Sequence, residues 1–285
     1  MANTINTNII VPEVYAQLVR EKVKGKCKVA QFLVNLGDLH GKVGETIHFP
    51  KWGYIGDGKD WAINTPMEVT QMKQTQTTAT IKAIQAPAVK VADYDDEVAL
   101  GNAIEEASTQ QAIAVGRKYD SDAIACALTS PLKYQLATKN VVTQDEMIAI
   151  LGLYGDDRDS ADFDAIVISS LFAPSFYKMD MFTSRERTMT TDGSGIAVNG
   201  VIGEFLGIPV VLSDRLYDNT NTEGFILVMK KNAISIIPKE NPFAETSRDA
   251  SLRQTTIYLS QFYAMALTDD TAIVVAKTVL PNQGK

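Results

Sequence analysis

Along residues 97 to 128 the apolar positions fall on a helical period. Leu100, Ile104, Ala107, Val115, Tyr119 and Cys126 share one line, interrupted by Gln111 and Asp122, while Ile113, Ile124 and Leu128 lie on another side. The run lacks proline and is rich in alanine, and only Gly101 and Gly116 weaken it before Thr129, Ser130 and Pro131 close it. Four carboxylates, Asp93, Asp95, Asp96 and Glu97, stand where such a helix would begin. Asp93 is placed as its N-cap, with Asp96 three residues on as capping partner. The pattern therefore predicts one long helix with two partly apolar faces, packed against two neighbours.

Upstream the period changes. Glu45 to Phe49 reads as a strand closed by Pro50, and Gly53, Gly56, Asp57 and Gly58 then crowd a turn region that carries Trp52, Tyr54 and Trp61. The return run from Val69 to Ile84 is dominated by Thr and Gln. Thr favours strands, yet this composition cannot bury either face in a monomer core. A two-stranded ribbon is marginal in water by itself. A second copy of the chain is the expected cover, with Trp52, Tyr54, Lys59 and Trp61 as the expected inter-subunit contacts; the alternative is a ribbon whose aromatics fold back on their own domain. Before the ribbon, Met1 to Ile10 reads as a polar arm. Pro12 opens a short amphipathic helix with Val14, Tyr15, Leu18 and Val19, and Lys22, Lys24, Lys26 and Lys28 would share one face if that stretch were extended.

Downstream, Thr143 and Glu146 form a capping box ahead of Met147, Ile148, Ile150 and Leu151. Residues 165–168 and 208–212 read as buried strands, 171–177 as a helix interrupted by Pro174, and 225–229 and 233–237 as further strands, together a mixed α/β unit. The tail alternates again at 255–259, 262–267 and 272–279. Without a helix nearby in sequence, these strands are placed against the long helix, so the middle unit is inserted into a discontinuous body.

The chain has 285 residues, 45% of them hydrophobic, enough for a real core. A formal charge of −7 argues against general nucleic-acid binding, which draws on Lys and Arg to neutralise phosphates. Cys27 and Cys126, about a hundred residues apart, give neither a disulfide framework nor a CxxC pair, and no run is apolar enough to span a bilayer. Synthesis in the cytoplasm is expected. His40 and His48 lack metal-ligand spacing. The acidic run Asp156, Asp157, Asp159, Asp162 and Asp164 fails the calcium-loop pattern, which would need Gly at position 162 and Glu at 168. Gly193-Ser194-Gly195 is not a nucleophile elbow, and residues 41–44 do not match a phosphate loop. No catalytic constellation, metal site or cofactor is expected. An enzyme working through carboxylates of the middle region would require a deep polar pocket there.

The order of features resembles the major capsid protein of tailed bacteriophages, the Hong Kong 97 fold. Locally, the run VGETIHFP from Val43 to Pro50 resembles the start of that family's extended loop, and AVKVAD from Ala88 to Asp93 its approach to the spine helix. GVIGEFLGIPVVLS from Gly200 to Ser213 resembles a strand segment of its axial domain. The resemblance implies an α+β Hong Kong 97-type capsid fold with an N-terminal arm over 1–40 and an extended β-hairpin loop over 41–88. A peripheral domain with the spine helix would take 89–138, an axial domain 139–235, and the closing strands of the peripheral domain 236–285. It implies many copies of the chain forming hexamers, pentamers and an icosahedral shell around double-stranded DNA, usually through a maturing procapsid. A portal and a scaffolding protein are the further partners; there would be no membrane, and the chain would reside in the virion capsid after assembly in the host cytoplasm. An encapsulin-like compartment subunit is similar to the same fold. Some family members cross-link a loop lysine to a neighbour's asparagine; Lys51 and Lys59 lie in the loop, but nothing in the sequence identifies an Asn or Glu partner.

Overall fold

The computed structural model describes residues 12–37, 46–52, 55–58, 60, 66, 69–94, 103–156, 159–179, 182, 201–239 and 242–278. Helix α1 (Pro12–Lys24) leads to a 3-10 turn at Ala30–Phe32 and the short strand β1 (Val34–Asn35). Strands β2 (Thr46–Trp52) and β3 (Gln74–Thr80) pair antiparallel with each other in a two-stranded sheet, and β4 (Lys82–Ala92) follows after the single residue Ile81. Helix α2 (Ala103–Ala127) is the long helix, about 37 Å of rod at 1.5 Å per residue. The residues expected to open it, Asp95 to Asn102, lie outside the described residues. Asp93 is engaged elsewhere, holding the Arg248 guanidinium through two hydrogen bonds.

Beyond α2 come β5 (Lys133–Gln135), α3 (Gln144–Gly152), β6 (Phe163–Ile168), the short helix α4 (Ala173–Phe176), β7 (Val201–Phe205) and β8 (Ile208–Leu212). A small hairpin of β9 (Tyr217–Asp218) and β10 (Glu223–Gly224) precedes β11 (Ile226–Lys230), β12 (Ile234–Pro238), β13 (Phe243–Asp249), β14 (Gln254–Leu267) and β15 (Ile273–Lys277). The expected capping box is present. Thr143 accepts from the Glu146 N–H, and the Glu146 carboxylate accepts from the Thr143 N–H. Pro174 sits in the first turn of α4, where its missing N–H costs nothing, so it starts that helix instead of interrupting it. Leu206 (φ 52°) and Gly207 (φ 78°) make the two-residue turn between β7 and β8, with the double positive φ that a tight hairpin needs.

Two sheets carry the fold. The first has β14 at its centre, with β4 along one edge and β13 then β12 along the other, and β1 adds parallel to β12. Helices α1 and α2 cover one face of it through Tyr15, Val19, Val23, Ala112, Val115, Ala123, Ile124, Ile257, Leu259 and Tyr263. The second sheet runs β5-β15-β11-β6-β8-β7. Its strands are buried on both faces: Ala165, Val167, Leu227, Met229, Ile273 and Val275 join the core around α2, while Ile166, Ile168, Ile226, Val228, Val274 and Ala276 join a second core under α3 and α4.

The pairing departs from the sequence reading in three places. Strand β15, expected among the strands closing on the long helix within 236–285, pairs instead with β11 and β5 in the second sheet, whose two covered faces suit its unbroken apolar run. Conversely, β12 was assigned to the middle unit but pairs with β14 in the first sheet. The return limb of the loop, expected to reach residue 88, ends at Thr80, and β4 belongs to the first sheet. Lys22 also departs from the expected lysine face. It lies within α1, and its ammonium reaches the Glu105 carbonyl, Ser108 and Thr109 on α2.

Candidate assembly surface

The β2–β3 ribbon lies on the face of the first sheet that α1 and α2 leave open. Along β2 the side chains alternate: Ile47, Phe49 and Lys51 turn towards the body, while Thr46 and His48 are exposed. Phe49, 1% exposed, packs with Ala79, Ala264 and Ala266, with Ile47, Ile81 and Ile237 around it. The small alanines of β14 leave room for the ring. Two residues further along β2, on the same face, the Lys51 ammonium meets Asp269 at 3.1 Å and Asp270, both in the turn between β14 and β15. The base of the ribbon is thus seated on its own subunit, more firmly than its composition suggested.

The seating does not extend along the whole loop. Ile55, Val69 and Met72 are 58%, 97% and 57% exposed, and Gln74, Thr75 and Gln76 are exposed as well. Of the four residues expected at the inter-subunit contact, Trp52 ends β2 opposite Gln74, while Tyr54, Lys59 and Trp61 lie outside the described residues. Phe49 and Lys51 belong to the candidate surface too. Their signal in the sequence was the period-two spacing of Ile47, Phe49 and Lys51, but the acidic partners are more than two hundred residues away.

Three buried polar side chains fix the body under the ribbon. Gln111, one of the two breaks in the apolar line, accepts from the Tyr15 hydroxyl at 2.9 Å and donates to the carbonyls of Pro87 and Ile257, joining α1, β4 and β14. Asp122, the other break, accepts from the Tyr263 hydroxyl and from Lys118 at 3.1 Å, with Lys82 at 3.5 Å. Burial acts to raise its pKa, but the Tyr263 hydrogen bond and the two ammonium groups outweigh it and hold the carboxyl below 3.8. Asp120, unnoticed in the sequence, accepts from the backbone N–H groups of Lys28, Val29 and Ala30 at 2.8 to 3.2 Å. There burial prevails over the three N–H donors, and the pKa lies above 3.8.

The described arrangement is a two-sheet body on which the base of the β2–β3 ribbon is seated. Among the described residues no group of three or more His, Cys, Asp or Glu side chains is placed to hold a metal ion. The pocket of about 240 Å³ in the middle region is lined by Ile148, Leu151, Ser160, Phe163, Leu206 and Ile208, so its described lining offers no carboxylate. No helix among the described residues is long and apolar enough to cross a membrane.

No model of a known protein family matches the chain. It is 26% identical over 276 residues to the major capsid protein of Staphylococcus phage phiMR11, covering 95% of this chain and 94% of that one. Among solved structures, the capsid of cyanophage P-SCSP1u superposes with a TM-score of 0.60 at 14% identity, covering 97% of this chain and 92% of that one. The virus-like particle of Pyrococcus furiosus also gives 0.60, at 10% identity, covering 93% and 98%. The seated ribbon, the long helix and the two-sheet body are those of the Hong Kong 97 capsid fold, and along nearly its whole length this chain resembles the major capsid proteins of bacteriophages.

Proposed function

We propose that this chain is a major capsid protein that self-assembles into the icosahedral head shell of a tailed bacteriophage. The observation that carries the reading is whole-length similarity to a phage major capsid protein, in a chain whose ribbon leaves Ile55, Val69 and Met72 exposed beyond its seat. Large apolar side chains exposed within one loop suit burial against a protein partner. A heterologous contact between identical copies supplies one and, when it closes on itself, builds a shell. The chain's role is structural and not enzymatic. Its acidic balance of −7 suits a container, because strong attraction to double-stranded DNA would hinder packaging.

In this reading the copies form hexamers and pentamers, assembled in the host cytoplasm around a portal and with help from a scaffolding protein. Residues 41–80 act as the extended loop. The α2-bearing first sheet serves as the peripheral domain, and the second sheet with α3 and α4 as the axial domain. Trp52, Tyr54, Lys59 and Trp61 contact a neighbouring copy. The similarity to a virus-like particle keeps the compartment shell as a second reading, since the two share the fold; the phage relative in sequence favours the first.

Negative-stain microscopy of the purified protein tests this. Closed particles or capsomers are expected, and a monomer that stays monomeric at high concentration in every condition overturns the reading. Replacing both Trp52 and Trp61 by Ala should leave the subunit folded and weaken assembly, as loss of aromatic anchors does at interfaces. Unchanged assembly would remove those residues from the contact.

A further inference from the structure

The ribbon meets its own body at a site that belongs to neither the metal nor the catalytic candidates. Its parts converge from β2, β14 and the turn after β14. Phe49 of β2 sits over Ala264 and Ala266 of β14, and Lys51 reaches Asp269 and Asp270 in the turn to β15. That turn is itself fixed. Asp269 accepts from the N–H and hydroxyl of Thr271, and the N–H groups of Thr268 and Asp269 donate to the Ala233 carbonyl. Ser130, fully buried just past the end of α2, donates to the carbonyls of Asp270 and Ile273. The acidic turn is therefore the corner where the first sheet, the second sheet and the end of the long helix meet.

We propose that Lys51 is a positioning residue for assembly: its ion pairs with Asp269 and Asp270, beside the Phe49 seat, set the angle at which the ribbon leaves the subunit and so where its exposed distal part meets the next copy. This rests on the shell reading above. The Phe49 seat, with Ile47, Ile81 and Ile237 around it, supplies adhesion, but apolar contact is non-directional. The ion pairs of Lys51, two residues further along the strand, add direction, since two carboxylates on a hydrogen-bonded turn define a point. Burial opposes the Lys51 charge, yet the hydrogen bonds and charges of Asp270 and Asp269 more than offset it and hold the pKa above the usual lysine value, which keeps the clamp charged. With side chains 32%, 44% and 56% exposed, the clamp contributes modestly to stability, so its effect is read in the ribbon's local opening and not in global unfolding.

The test uses Lys51→Ala, Lys51→Glu, Lys51→Arg and Asp270→Asn in the full chain; Asp269 is spared because it also holds Thr271. Hydrogen exchange of the unassembled subunit is read at 46–52 and 74–80 and, as a control, in α2. Particle size is read by microscopy. Lys51→Ala should speed exchange in the ribbon by about two- to fivefold, as loss of a half-exposed ion pair does, with α2 unchanged. Lys51→Glu should do more, Asp270→Asn less, and Lys51→Arg should match the wild type; high salt should shrink these differences. Particles should broaden in size in the same order. Equal acceleration in α2 and ribbon, no difference between Lys51→Ala and Lys51→Glu, or unchanged exchange and particles in both would overturn the proposal. If the wild-type chain forms no particle, the shell reading falls, and the exchange measurements still decide whether Lys51 fixes the ribbon.

Discussion

The phenolic hydroxyl of Tyr263 donates to a carboxylate oxygen of Asp122, joining two residues 141 positions apart where β14 crosses the buried side of α2. Tyr263 is fully buried, and its ring meets Tyr119 edge to face at 5.0 Å. A charged acceptor inside an apolar layer makes this hydrogen bond worth more than a neutral one. Tyr263→Phe keeps the ring and removes the donor. It should lower unfolding stability by about 1–3 kcal/mol, read from urea midpoints at constant slope. A loss well below that range would mean that Lys118 and Lys82 satisfy Asp122 without the tyrosine.

Asp122 also sets a pH dependence. Its folded pKa is depressed, so its contribution to stability is complete above the unfolded value near 3.8 and is lost as pH falls through the lower folded value. Asp120 runs the other way: with a raised folded pKa, the folded state holds its proton more tightly, and that contribution fades as pH rises from 3.8 through the raised value. The stability difference between wild type and Asp122→Asn should therefore be largest near neutral pH and shrink below 3.8. A difference that stays constant from pH 6 to pH 3 would show that Asp122 does not titrate with a depressed pKa.

Asp120 ties the segment before β1 to the long helix. Removing its carboxylate with Asp120→Ala leaves the N–H groups of Lys28, Val29 and Ala30 without this acceptor. A loss of about 1–3 kcal/mol is expected, together with faster exchange of those three amides. Protection that persists at 28–30 in the variant would mean the 3-10 turn is held by its packing, with Phe32 and Leu33 against the core.

These contacts show which parts of the structure could be read in the chain. The long helix, the capping box at Thr143 and the apolar strands read at 165–168 and 208–212 depend on local periods and local chemistry, and they were legible. Gln111 and Asp122 were visible as breaks in a stripe, but their meaning was not, since the partners Tyr15, Pro87, Ile257 and Tyr263 come from distant strands and helices. Asp120 gave no signal because its donors are backbone N–H groups, which carry no sequence signature. Strands β12 and β15 were exchanged between sheets for a related reason: an apolar strand reveals that it is buried, not which strand it pairs with. The ribbon's polar composition predicts no buried face in its return limb, yet Ala79 is buried and, with Phe49, Ile47 and Ile81, packs on Ala264, Ala266 and Ile237 to seat the base.

Gly203 on β7 offers a test of the second core. A Cβ built there would lie 2.5 Å from Cζ and 2.8 Å from Cε2 of Phe182. That ring cannot simply withdraw, because it is buried and packs edge to face on Phe176 at 5.7 Å. Gly203→Ala should therefore destabilise the subunit by about 1–3 kcal/mol through overpacking. Phe182→Leu alone should also destabilise, by opening space. Combined, the two changes compensate, since the smaller side chain makes room for the added methyl, so their effects should sum to less than the parts. Strictly additive losses in a double-mutant cycle would mean that β7 shifts away as a unit instead of pressing on Phe182.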